Sequence, residues 1–312
     1  MRPSQTNRPH LDLPPITWTP IPSISGRRVI VTGANSGIGL QTSLALAGSG
    51  AVVTMACRNP DKAETALRMV QERTGNQTCN TVALDLSSLE SIRNFAGRVK
   101  QPVDVLINNA GVMAPPLSRT HDGFEMQFGV NHLGHFALTG LLMDQLRAGS
   151  VPRVVTLSSI AHRRGKIRFE DLNSEKGYRR WRAYSQSKLA NLYFATELER
   201  WLRTKGTDVI SIAAHPGVSG TNLTKRGGHR GALDLLGGVF AAMGQPAAAA
   251  CLPTLYAATG ADVQGGDYYG PSGPGELRGT ATLVAPSPAV LDEEIAHRLW
   301  KRSEELTGVN YC

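Results

Sequence analysis

The sequence predicts a single-domain α/β protein: one doubly wound parallel sheet of about seven strands with helices on both faces. Three observations predict it. Short apolar, β-branched runs alternate with longer helix-like segments from Val29 to the C-terminus, the pattern of strand–helix–strand units. The runs are continuously apolar, as suits strands covered on both faces. Polar and glycine-rich segments at 32–39, 108–111 and 215–217 each follow a predicted strand, and ligands of such sheets sit beyond the carboxyl ends of the strands.

The elements follow in order. A strand at 29–31 feeds the glycine turn, and a helix continues over 40–48. The second strand is 52–56. The helix after it runs over 60–73, with Asn59 as N-cap and Pro60 at the first helical position, where its missing N–H costs nothing. Next come a strand at 81–84, a helix over 88–100, and a strand at 103–107 that runs into Asn108-Asn109-Ala110-Gly111. A long helix spans 123–147, interrupted before Asn131. A strand at 153–157, a strongly helical stretch over 184–204 and a strand at 209–214 complete the alternation. A final short strand is expected near either Leu283-Val284 or Tyr268-Tyr269, then a closing helix over 291–306. Residues 1–25 form a proline-rich extension, partly ordered, and 26–312 form the domain.

Composition narrows the function. The 312 residues are 41% hydrophobic, ordinary for a globular chain that buries a full core. The net charge of +8 is uneven: Arg163, Arg164, Lys166, Arg168, Lys176, Arg179, Arg180 and Arg182 crowd one segment. That segment reads either as a solvated basic loop or as an attractor for an anionic substrate or cofactor phosphate. No aromatic-interleaved or helix-turn-helix pattern points to nucleic acid. Cys57, Cys79, Cys251 and Cys312 have neither disulfide-framework nor metal-ligand spacing, which fits a reducing, cytoplasmic compartment and no metal site. The extension lacks the apolar core of a secretory signal. No run of about 18 apolar residues marks a membrane span; 232–252 comes nearest and is broken by Asp234, Gln245 and Pro246.

Gly33, Gly37 and Gly39, with Asn35, Ser36 and Ile38 among them, follow a strand and open a helix. Glycines let the backbone approach a pyrophosphate, and a helix N-terminus offers free N–H groups and partial positive charge. The spacing is G-x-x-x-G-x-G, distinct from the common G-x-G-x-x-G fingerprint. An NAD site places an acid about 20 residues further on, for the ribose 2′-hydroxyl. Here 52–59 contains no acid and carries Arg58. A guanidinium binds a 2′-phosphate that a carboxylate would repel, so the expected cofactor is NADP(H). Asp85-Leu86 is placed to receive the adenine amino group, although a turn aspartate is the alternative. Asn109, Ala110 and Gly111 would pack against the adenosine ribose.

Tyr184 and Lys188 stand four residues apart on a predicted helix and share one face. A phenol of pKa about 10 is a poor proton donor and acceptor at neutral pH. A nearby ammonium, helped by a nicotinamidium, should lower that pKa. Ser159 can then hold a reacting oxygen while Tyr184 exchanges its proton, with Ser158 a neighbour able to share the site.

Together Thr32 to Gly39, Asp85-Leu86, Asn108 to Gly111, Asn131, Ser159, Tyr184-x-x-x-Lys188 and Pro216-Gly217-x-x-x-Thr221 resemble the short-chain dehydrogenase/reductase family, over nearly the whole chain from Gly26. The resemblance implies a Rossmann-type fold and an intact catalytic set. Asn131 would be its fourth member, supporting a water-mediated proton relay with Lys188. Pro216, Gly217, Val218 and Thr221 would line the nicotinamide, Val218 and Thr221 at its carboxamide. It also implies a homo-oligomer through the helices that start near Asn131 and Tyr184.

Ala56 to Asn59, Asn131 to Phe136 and the long insert before Tyr184 resemble the retinol-dehydrogenase-like and protochlorophyllide-reductase-like branch. That branch mostly uses NADP on carbonyls of bulky apolar molecules. The sequence shows no anchor of the kind many retinol-handling members carry, which favours a soluble ketone or aldehyde reductase. Two rivals stand beside that reading. One is NADPH-dependent C=C reduction. The other is a non-enzymatic dinucleotide-binding regulatory protein, whose expected mark is a broken Ser159/Tyr184/Lys188 set. Substrate contacts should fall to 113–125, to the insert 160–182 and to a lid over 218–245. There Leu223, Leu233, Leu235, Leu236, Val239, Phe240 and Met243 read as an apolar cover or a packed helix. His162 and His215 are read as structural, because Tyr184 already serves as the acid–base.

Overall fold

The computed structural model of the chain describes residues 22–218 and 245–311. Its strands are β1 (Arg28–Thr32), β2 (Val52–Cys57), β3 (Asn80–Ala83), β4 (Val105–Asn108), β5 (Arg153–Leu157), β6 (Ile210–Ala214), β7 (Tyr268–Pro271) and β8 (Ala281–Leu283). They form one sheet in the order β3-β2-β1-β4-β5-β6-β7-β8. Neighbours are parallel throughout except β7 and β8, which are antiparallel. The sequence offers two places for a final strand, and both are used, so eight strands replace the expected seven. The short connection between β7 and β8 permits only an antiparallel pairing, since parallel neighbours need a long crossover.

Winding reverses between β1 and β4, so a crevice opens at their carboxyl ends. Alternate residues of each strand point to opposite faces. Val29, Val31, Val105, Ile107 and Val155 pack with Leu46 of α1 (Gly37–Gly48) and Val70 of α2 (Pro60–Thr74). Ile30, Leu106 and Val154 pack on the other face with Phe95 of α3 (Leu89–Arg98) and Leu198. Every residue of β4 and β5 is buried, as suits strands covered on both faces.

Helix ends obey local rules where such rules exist. The Asn59 side chain accepts from the Lys62 amide at 2.8 Å and Pro60 opens α2. Ser88 caps α3 and Asp292 caps the closing helix Glu293–Thr307 in the same way. The long helix expected over 123–147 is divided. A single α-turn, α4 (Met126–Phe128), passes into a π-turn over Gly129–Leu133, then α5 (Gly134–Leu141) and α6 (Met143–Arg147). The π-turn carries Asn131, and such turns concentrate at functional sites. Helix α7 runs over Arg180–Thr204, four residues earlier than expected. Its start lacks a signal: Arg179 at the N-cap makes no side-chain cap bond, and Arg180 and Arg182 are unfavourable in a first turn.

Candidate active site

The glycine turn is shaped by the loop behind it. Gly33 has φ +66°, and a Cβ on Gly39 would lie 2.5 Å from the Gly33 carbonyl oxygen and 2.6 Å from Asn109 Nδ2. Backbone therefore meets backbone, and a side chain at Gly39 would force them apart. Thr32 ties the two pieces together: its buried Oγ1 accepts from the amides of Asn109 and Ala110, each at 2.9 Å, while Asn109 Nδ2 donates to the Thr32 carbonyl at 2.7 Å. Ser36 stands at the N-cap of α1 without a side-chain cap bond, and no acid occupies the first turn. Asn35 and Ile38 are half-buried beside it. A glycine cradle before an uncapped helix N-terminus fits a dinucleotide pyrophosphate.

Arg58 is exposed, one residue past β2 and two past Ala56, whose carbonyl accepts from the Gly33 amide. Its backbone therefore leaves the sheet beside the glycine turn. Asp85 leans toward its turn role: Oδ1 accepts from the Ser87 amide and hydroxyl at 2.9 and 2.7 Å. Leu86 is buried next to it. Beyond β6, Gly217 has φ +69°, the Val218 amide donates to the Leu277 carbonyl at 2.9 Å, and Gln245 bonds both Val218 and Pro216. Thr221 and the lid residues between Val218 and Gln245 lie outside the described residues.

At the chemical end, α7 presents Tyr184 and Lys188 on one face. Lys188 Nζ donates to the Leu157 carbonyl at 3.1 Å and lies 5.9 Å from the centroid of the Tyr184 ring. Ser159 lies beside the phenol, where it opposes the effect of burial on it. Ser158 turns the other way, donating to the Lys188 carbonyl at 2.7 Å. Burial pushes the Tyr184 phenol above its ordinary pKa, with only Ser159 opposing it. Burial likewise pushes the Lys188 ammonium down to about 8. The helical spacing brings the lysine to the ring, but its charge is directed at a main-chain oxygen.

Asn131 joins the cofactor loop to α7. Its Oδ1 accepts from the Val112 amide at 2.8 Å, and its Nδ2 donates to the Val112 carbonyl at 3.0 Å and to Ser187 Oγ at 2.9 Å. A Cβ on Gly111 would stand 3.1 Å from Asn131 Oδ1 and 3.6 Å from Lys188 Nζ. Gly111 therefore packs against Asn131 and lies beside Lys188.

With this geometry in view, comparison with known proteins is direct. The family model described as short chain dehydrogenase matches residues 27–230. The chain belongs to that family. Human retinol dehydrogenase 13 is 44% identical over 297 residues, covering 92% of this chain and 86% of its own. Human retinol dehydrogenase 12 is 41% identical over 293 residues, covering 92% and 88%. A crystal structure of an uncharacterised protein from Mycobacterium paratuberculosis superposes with TM-score 0.80 at 43% identity, over 95% of this chain and 99% of that one. A short chain dehydrogenase from Shigella flexneri shares the fold at TM-score 0.60 and 23% identity, over 79% and 97%.

Several members of the site escape a sequence reading. Gln127, buried, accepts from the Ala114 amide at 2.8 Å and donates to Tyr178 Oη and the Arg180 carbonyl at 3.0 and 2.9 Å. It pins the loop after Gly111 to the start of α7; a lone glutamine between Met126 and Phe128 is the only signal for it. In the basic insert, Arg163 pairs with Glu276 at 2.5 Å, and Glu276 accepts from His215 Nε2 at 2.9 Å. That chain braces the Pro216-Gly217 loop, and it gives His215 the structural role expected of it. His162 is held likewise between the Ser159 carbonyl and the Ser287 amide. Arg164, Lys166, Lys176, Arg179 and Arg180 are exposed.

Proposed function

We propose that this protein is an NADP(H)-dependent oxidoreductase that interconverts a ketone or aldehyde and its alcohol on a bulky apolar substrate. One observation carries the reading: Ser159, Tyr184 and Lys188 converge beside Gly111, on the same sheet edge as the glycine cradle. The cradle and the α1 N-terminus would hold the pyrophosphate, Arg58 the 2′-phosphate, and the 109–111 and 216–218 loops the adenosine ribose and nicotinamide. Bound there, the nicotinamide supplies or accepts the hydride. Ser159 holds the substrate oxygen, and Tyr184 gives it a proton. A phenol held above its ordinary pKa by burial keeps its proton at neutral pH, the form that reduction requires. Lys188, buried beneath the tyrosine ring, is placed to hold the nicotinamide ribose and return the proton.

Two features support a bulky apolar substrate. The relatives at 41–44% identity are named retinol dehydrogenases. Trp181 is 46% exposed and meets the Tyr184 ring edge-on at 6.1 Å, which offers an apolar surface beside the proton donor. A panel of aldehydes, ketones and alcohols assayed by nicotinamide absorbance tests the reading. Tyr184→Phe should lower turnover by about 10²–10⁴-fold, the usual worth of a positioned acid–base; full turnover in that variant would sink the mechanism. A deuterated cofactor separates carbonyl from C=C reduction by where the label lands.

A further inference from the structure

His135 is 1% exposed and bridges two parts of the site that lie far apart in sequence. Its Nδ1 is 2.9 Å from the main-chain oxygen of Asn131, and its Nε2 is 3.0 Å from Thr32 Oγ1. A carbonyl oxygen only accepts, so Nδ1 carries the hydrogen. The Thr32 oxygen already accepts two amide hydrogens, from Asn109 and Ala110. A hydroxyl has two acceptor lone pairs and one hydrogen. Thr32 is therefore left with only its proton to offer, and the bare Nε2 at 3.0 Å lies closer to it than its other acceptor, the Ile107 carbonyl at 3.3 Å. Every donor in the chain is thereby assigned: the 109–110 amides to Thr32, Thr32 to His135, His135 to the Asn131 carbonyl. A cationic ring would aim an N–H at an oxygen with no lone pair left. Burial agrees, holding the ring far below its ordinary pKa, at about 4.

Both Asn131 Nδ2 hydrogens are spent, on the Val112 carbonyl and on Ser187, and Oδ1 takes the Val112 amide on one of its two lone pairs. The main-chain carbonyl of Asn131 lies in the π-turn and receives His135 on one lone pair. We propose that His135 is a positioning residue: through one fixed tautomer it holds the Asn131 carbonyl in place within the π-turn, and through Thr32 it couples that turn to the 109–110 loop. The inference rests on the acid–base reading of Tyr184 and adds a residue to it.

Three variants of the full-length chain separate the two ring nitrogens. An asparagine amide reaches where Nδ1 lies and keeps the donor to Asn131. A glutamine amide reaches where Nε2 lies and loses that donor. Leucine loses both. His135→Leu and His135→Gln should lose about 10²-fold in kcat, the scale of a small misplacement in a site. NADPH Kd and substrate KM should stay within about twofold, and the solvent deuterium isotope effect on kcat should rise as proton delivery becomes limiting. His135→Asn should stay within about fivefold of wild-type kcat. Equal losses in the asparagine and leucine variants, full turnover in leucine, or a loss confined to NADPH Kd would each overturn the proposal. If the leucine variant does not fold by circular dichroism, the asparagine–glutamine contrast decides. Nitrogen NMR of the wild-type imidazole provides a readout without turnover: a neutral Nδ1–H ring between about pH 5 and 8 is expected, and an Nε2–H or protonated ring there overturns the assignment. Tyr184→Phe distinguishes the levels of failure. If it is inactive while His135→Leu is fully active, only the positioning role fails; if it is active, the acid–base reading fails.

Discussion

Replacing Gly39 by alanine tests the cofactor cradle without needing a substrate. The new methyl would lie 2.5 Å from the Gly33 oxygen and 2.6 Å from Asn109 Nδ2, about 1 Å inside ordinary van der Waals separation. Neither neighbour is a flexible tip. Gly33 is held by its amide on Ala56 at 2.8 Å, and Asn109 Nδ2 is held on the Thr32 carbonyl at 2.7 Å. Relief must therefore come from separating the turn from the 109–111 loop. Overpacking of this kind costs roughly 1–3 kcal/mol. The displaced atoms are the proposed pyrophosphate seat, so a comparable loss should appear in binding, about 5- to 150-fold at 1.4 kcal/mol per decade. NADPH fluorescence titration reads the affinity, and thermal melting reads the folding cost, a fall of several degrees. Gly97→Ala is the control: it lies in α3 with nothing within 4 Å of an added Cβ, so binding should hold and stability rise by about 0.5–1 kcal/mol. Wild-type affinity and melting temperature in Gly39→Ala would refute the packing argument.

Arg58→Ala should lower the NADPH-over-NADH preference in kcat/KM by roughly 10- to 100-fold, the worth of about 1.5–3 kcal/mol for hydrogen bonds to a charged group; an unchanged ratio removes Arg58 as the discriminator. Trp181→Ala should raise KM for bulky apolar carbonyls and leave small ones nearly unaffected, and an equal rise for both would count against its substrate contact. Burial holds His132, His135 and His162 at about 3, 4 and 4, below the ordinary 6.5. Below about pH 6.5 the unfolded chain binds protons that the folded chain does not, so stability is lost as pH falls from about 6.5 toward 4. At pH 5.5 the three together should cost about 4 kcal/mol. Melts that stay flat between about pH 7.5 and 5.5 would contradict their burial in neutral form.

Legibility in this chain follows the distance over which an interaction is specified. Asn59-Pro60 marks a helix start because cap and amide lie three residues apart. Tyr184 and Lys188 are readable because a helical period alone places them on one face. That same spacing says nothing about which atom the lysine addresses, and the answer, the Leu157 carbonyl, comes from another strand. Asp85 is ambiguous for the reverse reason: its partner Ser87 is local and competes with any remote role. The β7–β8 hairpin is faint because strands of four and three residues carry too few side chains to declare a period. His135 is the limiting case. Its sequence neighbourhood, in an apolar run, reads as core, and its partner Thr32 stands 103 residues away. The Asn131 carbonyl gives the ring its direction, and the hydrogens on the threonine oxygen agree with it. On the proposed mechanism the groups that exchange protons are set by local spacing, whereas the groups that position them are set by contacts across the sheet, and substitutions of the second kind should therefore alter rate while leaving the motif intact.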